Sequence, residues 1–154
     1  MPIAFTKVKL PYGWLGNMSA FPLEYNGQTW RTAEALFQAL RFMDPAIREE
    51  IRKEKSPMGA KMVAKRHADK MVVQPTSSED LANMETVLRL KLDQHPHLKE
   101  ELKKTGDETI IEDVSNRSSQ GRHLVWGMAF DQATGQWTGQ NHLGKLWMKL
   151  RDEL

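Results

Sequence analysis

The chain contains no cysteine. That excludes a disulfide framework, thiolate catalysis and cysteine-ligated metals, and it suits a reducing, cytoplasmic setting. Neither sign of charge dominates: 22 Lys and Arg against 20 Asp and Glu leave a formal net charge of +2. This falls well short of the basic excess of a protein that coats nucleic acid. No apolar run reaches the length of a membrane span, and the opening MPIAFTKVKLPYGW has no signal-peptide core. There is no internal repeat, no Walker loop, no Rossmann glycine fingerprint and no nucleophile elbow. Among the five histidines, His95 and His97 form the only close pair. They flank Pro96 with no carboxylate at ligand spacing, so neither a metal nor a cofactor is expected.

What is present is ordinary for a globular chain. Its 154 residues, 40% hydrophobic and 27% charged, fit a single domain over 1–154 with one buried core. PLEYNGQTW reads as a hairpin, because Asn26-Gly27 is a favoured two-residue turn with both residues at positive φ. Thr32 is placed to cap a helix running to about Met43. Asp44-Pro45 and Ser56-Pro57 then open two further helices with Pro at the first position, the second reaching Lys70. Ser77 with Asp80 three residues on has the form of a capping box. It opens a long helix to His95, with Met84, Val87, Leu88 and Leu92 as its apolar face. A short helix from Pro96 to Gly106 follows. DETIIEDV is expected as a strand, VWGMAF as a strand or tight extended loop, and DQATGQW as a turn. Asn141 is placed to cap the last helix, with Leu143, Leu146, Trp147 and Leu150 on one side. The fold class is α+β: mostly helical, with a small β-sheet assembled from both ends of the chain.

The chemistry centres on residues 29–42, TWRTAEALFQALRF. A carboxylate in a first helical turn is stabilised by the exposed N–H groups and the macrodipole, which is reason enough for Glu34. Yet Glu34, Gln38 and Arg41 follow i, i+4, i+7 spacing and share a face, while Ala33, Phe37 and Leu40 form another stripe. That polar face is either solvated or the wall of a cleft; periodicity does not choose. Four of the five tryptophans, Trp14, Trp30, Trp126 and Trp137, stand beside glycines or turns. There they either pack corners or stack on a planar ring. Gly139-Gln140-Asn141 ahead of a helix offers N–H groups to an anion, or is simply an Asn cap.

Taken together, these stretches resemble the NADAR family, also called YbiA-like. GNMSAFPLEYNGQTWRTAEALFQALRF is similar to that family's Asn, hairpin and glutamate-bearing helix. IREEIRKEKSPMGAKMVAKR is similar to its second and third helices, including the Ala60-Lys61 step. VLRLKLDQHPHLKEELKKTGDETIIED matches its long helix, short helix and strand. WGMAF and GQNHLGKLWMKLRDEL match its Trp-Gly and Gly-x-Asn-x-Leu-Gly ending. The resemblance covers nearly the whole chain and implies a YbiA-like fold. It also implies an N-glycosidase, in which water cleaves a C–N bond between ribose and a nitrogenous group. The substrate is then a ribosylated nucleotide, such as a phosphoribosyl-aminopyrimidine of the riboflavin pathway, or nucleic acid carrying ADP-ribose on guanine. Glu34 falls on the family's helix glutamate. A helix N-terminus favours an ionised carboxylate, so a base or electrostatic role is expected rather than a general acid. Asn17, Trp30, Gln38, Trp126, Gly127 and Asn141 are expected to line the pocket, and Arg41 and Lys61 to meet phosphate.

Two positions depart from the family pattern. Ala35 stands where the family has His, and His123 stands where it often has Asp three residues before Trp-Gly. The preceding SNRSSQGR reads as an insertion. His123 is a second catalytic candidate, as an acid or donor, or else a surface residue. The alternative to an enzyme is a binding module that recognises nucleotide, ADP-ribose or modified nucleic acid on the same scaffold without turnover. General nucleic-acid binding would rest on Lys53, Lys55, Lys61, Lys65, Arg66 and Lys70. These interleave with Glu49, Glu50, Glu54 and Asp69, as on a solvated face.

Overall fold

Asn26 and Gly27 both adopt positive φ, 50° and 78°. They close an antiparallel hairpin of two strands, β2 (Leu23–Tyr25) and β3 (Gln28–Trp30), in the register Leu23↔Trp30. The computed structural model describes residues 1–117 and 121–154. The chain forms two compact units, Asn17–Pro96 and, from both chain ends, Met1–Gly16 with His97–Leu154.

The first unit holds the hairpin and four helices: α1 (Ala33–Ala39), α2 (Pro45–Lys53), α3 (Pro57–Arg66) and α4 (Ser78–Gln94). The caps read from the sequence form as expected. Thr32 Oγ1 accepts from Ala35 N, Asp44 Oδ1 from Ala46 N, Ser56 Oγ from Gly59 N and Ser77 Oγ from Asp80 N. Helix α1 packs against α2, α3 and α4 and is the centre of this unit. Leu36, Phe42, Ile51, Val63, Val87 and Leu88 are buried to 2% exposure or less, each large side chain contributing about 1.5–3 kcal/mol. Helix α1 ends at Ala39 rather than near Met43. The chain tightens there: Arg41 N and Phe42 N donate three residues back, to Gln38 O and Ala39 O. The third helix likewise stops at Arg66, and a separate short turn covers Ala68–Lys70.

In the second unit, β1 (Ile3–Phe5) pairs in parallel with β4 (Ile110–Glu112). Just beyond β4, Asp113 forms an isolated parallel bridge with Met128. Helix α5 (Pro96–Lys104) precedes β4 in the chain, and α7 (His142–Asp152) packs on β4. Trp147 is fully buried, and its Nε1 donates to Leu15 O at 3.0 Å. VWGMAF divides between elements: Val125 and Trp126 end a short helix α6 (His123–Trp126), and the strand β5 begins at Ala129 and ends at Asp131. The turn expected over DQATGQW occupies only its first part, because β6 (Gln136–Thr138) returns to pair with β5. The architecture is α+β and mostly helical. Among the described residues its strands form three two-stranded pieces, β1–β4, β2–β3 and β5–β6, rather than one sheet. Ser118 to Gln120 of the expected insertion lie outside the described residues.

Candidate active site

Glu34 enters the first turn of α1 with two constraints on its backbone. The preceding Thr32 caps the helix, and Glu34 N donates to Asn17 O at 3.0 Å. The rest of α1 is buried on nearly every side: Ala33, Ala35, Leu36, Phe37 and Ala39 are all at 4% exposure or less. Glu34 alone in that run, Gln38 included, keeps partial access to solvent. The polar face is therefore not a solvated stripe. Gln38 and Arg41 are each 6% exposed, in an interior where polar groups need partners.

The partners form a line. Gln38 Nε2 donates to Glu34 Oε2 at 2.6 Å. Arg41 NH1 donates to Gln38 Oε1 at 3.1 Å. Arg41 Nε and NH2 donate to the two oxygens of Asp80 at 2.9 and 2.8 Å. Asp80 is fully buried, and its Oδ2 also accepts from Thr76 N at 2.9 Å. The guanidinium lies over the Phe37 ring, 4.7 Å from its centroid. Arg41, a residue expected to meet phosphate, turns its guanidinium inward onto the Asp80 carboxylate. Asp80, expected to complete a capping box, gives its side chain to Arg41 and the Thr76 backbone; only the Ser77 half of the box forms. Sequence reasoning assigned Asp80 to the helix end. The signal that could have moved it is Arg41, a guanidinium on a helix otherwise too apolar to leave it in water.

Two expected pocket residues of this unit have incomplete hydrogen bonding. Asn17 is 7% exposed and donates through Nδ2 to Met84 Sδ at 3.0 Å, while its Oδ1 is buried with no protein partner among the described residues. Trp30 is 2% exposed, and its Nε1 is also buried without one. Such groups are uncommon in a folded interior. Lys61, on α3, is half-buried and forms no ion pair among the described residues. Lys91 was not singled out from sequence, yet it is fully buried on α4. Its Nζ donates to Ser19 Oγ at 3.0 Å and lies over the Phe21 ring. Burial pushes its ammonium down to about 7. Its signal was spacing: Lys91 falls on the apolar stripe of Met84, Val87 and Leu88.

The remaining candidates lie in the other unit. His123 begins α6, and Trp126 ends it; both are half-buried. A Cβ on Gly127 would collide with Glu112 O and come within 2.9 Å of Val114 Cγ1, so this glycine permits a close backbone approach to β4. Asn141 takes a left-handed conformation, φ 57°, and does not cap α7 with its side chain. Instead Nδ2 donates to Ile110 O at 2.9 Å, and Oδ1 accepts from Glu112 N at 3.1 Å. Both ends of the amide are thus used to peg the helix start to β4. Two of the donors considered for an anion at Gly139-Gln140-Asn141 are engaged within the protein, since Gln140 N and Asn141 N donate to Leu124 O and Gly127 O. Among the described residues, no three His, Asp or Glu side chains are grouped to hold a metal ion, and no helix is long and apolar enough to cross a membrane.

The NADAR domain model matches residues 4–154, spanning both units. The chain belongs to the NADAR family. N-glycosidase YbiA of Shigella boydii is 35% identical over 152 residues, which is 99% of this chain and 88% of that protein. N-glycosidase Npun_R5314 of Nostoc punctiforme is 31% identical over 157 residues, covering 100% of this chain and 93% of that one. The NMR structure of the Escherichia coli protein YbiA is similar with a TM-score of 0.76 at 33% identity, covering 99% of this chain and 86% of that one. The family membership thus places the chain among N-glycosidases, hydrolases acting on N-glycosyl bonds. The fold agrees with that of the family's solved YbiA structure.

Proposed function

We propose that this protein hydrolyses the C–N bond between a ribosyl group and a nitrogenous base, with Glu34 as the catalytic carboxylate. The observation that carries the reading is the setting of Glu34. It is the partly accessible acid of a buried helix, held on one oxygen by Gln38, with Oε1 carrying no protein hydrogen bond among the described residues. Breaking a ribosyl C–N bond develops positive charge on the sugar. A fixed carboxylate stabilises that charge or takes a proton from the attacking water. Water forms the new C–O bond at the anomeric carbon, and the base departs with the bonding pair and gains a proton.

The partners proposed for the substrate are Asn17 and Trp30, through their unpaired carbonyl oxygen and indole N–H, and Lys61 for phosphate. In this reading Arg41 and Gln38 support Glu34 rather than touch phosphate. His123, Trp126 and Gly127 enter from the resemblance of their motif, His123 as the candidate proton donor. The substrate is ADP-ribose on guanine in nucleic acid or a phosphoribosyl-aminopyrimidine of the riboflavin pathway, and the setting is cytoplasmic.

The test is sugar release by mass spectrometry from both substrates, by the wild type and by Glu34→Gln. Release from one substrate that the variant loses, with folding and ligand affinity retained, is the expected result. Turnover retained in Glu34→Gln would remove Glu34 from the chemistry. Binding without release by the wild type would make the protein a recognition module on the same scaffold.

A further inference from the structure

We infer that Asp80 is a positioning residue for the Glu34 carboxylate, acting through Arg41 and Gln38; this rests on the catalytic reading of Glu34. A primary amide in a protein has two faces of opposite character, and only its surroundings decide which way it points. Gln38 has a guanidinium on one side and a carboxylate on the other. Arg41 offers only donors, so it binds Oε1, and Nε2 is then directed at Glu34 Oε2. Gln38 thus presents its donor end to Glu34 because Arg41 stands behind it.

Arg41 is held in turn. The fork of Nε and NH2 matches the two oxygens of Asp80, the geometry that fixes a guanidinium in one plane. That leaves NH1 directed at Gln38. Asp80 does not drift, because Thr76 N donates to Oδ2 and Ser77 Oγ accepts from its own backbone N–H. The line therefore runs from the first turn of α4 to the first turn of α1, with its three inner members at 6% exposure or less. Its outer end is Glu34, whose Oε2 is occupied and whose Oε1 is left for water or substrate. A helix terminus needs no buried carboxylate to complete it, because Ser77 already caps α4. Nor does a buried ion pair recommend itself for stability alone, given the desolvation cost of both partners. Orienting Gln38 gives the pair a purpose that stability does not.

The experiment compares Asp80→Asn with the wild type on whichever substrate releases sugar, and repeats the substitution in a Gln38→Leu background. Asp80→Asn removes the charge and places an N–H₂ against the guanidinium. The expected result is a kcat lower by on the order of 10²-fold with KM within about threefold, as for a misplaced catalytic group. In the Gln38→Leu background the same substitution is expected to change kcat by less than about twofold, because the route to Glu34 is already cut. A merely structural role would lower kcat by similar factors in both backgrounds, and that would overturn the inference. So would an unchanged kcat in a folded Asp80→Asn. If Asp80→Asn does not fold, Arg41→Lys decides: it retains a cation for Asp80 but loses the arm to Gln38. A kcat in Arg41→Lys within twofold of wild type would sink the proposal. Failure of the Glu34 reading is separately visible, as turnover by Glu34→Gln or as no release by the wild type, and it would take this inference with it.

Discussion

Replacing Lys91 by methionine tests the interior of the α-helical unit through its pH dependence. The lysine is fully buried, with its ammonium on Ser19 Oγ and over the Phe21 ring. Burial lowers its pKa from 10.5 to about 7. In the unfolded chain it returns to the ordinary value. Between these two values the unfolded state binds more protons than the native state, so stability rises with pH through that window. Below about 7 both states are protonated and the full penalty for holding a buried charge applies. At about 1.4 kcal/mol per unit, the whole window corresponds to on the order of 4–5 kcal/mol. Between about pH 6 and pH 9 the wild type is expected to gain ~2–3 kcal/mol relative to Lys91→Met. Methionine is unbranched and close in volume, so the core should accept it. Loss of the donor to Ser19 adds an offset that does not vary with pH. The assay is urea unfolding of both proteins across this range, followed by circular dichroism, with the difference between them plotted against pH. Parallel stability curves would refute the reasoning, since they would mean that Lys91 keeps its ordinary pKa in the folded protein.

Two further predictions concern the end of the chain. Gly144→Ala should raise the intrinsic helix propensity of α7 by about 1 kcal/mol. It is nonetheless expected to destabilise the protein by ~1–3 kcal/mol, because the added methyl would collide with Ile110 O and the Asn141 amide; a higher melting temperature for the variant would contradict the close approach of α7 to β4. Asn141→Asp keeps a residue that tolerates φ 57° but loses the donor to Ile110 O and sets a carboxylate oxygen against that carbonyl. A cost of about 2–3 kcal/mol is expected in denaturant unfolding, and a change near zero would show that the peg contributes nothing.

The local structure was legible because it is decided by neighbours in the chain. Asn26-Gly27 dictates its turn through φ, and Thr32, Asp44, Ser56 and Ser77 each cap a helix with an atom only two or three bonds from their own Cα. The i, i+4, i+7 arrangement of Glu34, Gln38 and Arg41 was equally visible, since α-helical geometry alone puts them on one face. Sequence left open what that face meets. Arg41 and Asp80 are 39 residues apart, and Asn141 and Ile110 are 31 apart. No local rule says that the arginine turns inward, that the aspartate abandons its capping box, or that the asparagine serves a strand instead of a helix. Those outcomes follow from burial. A polar group removed from water must find a partner wherever the packing brings one, and only the tertiary structure decides which partner that is.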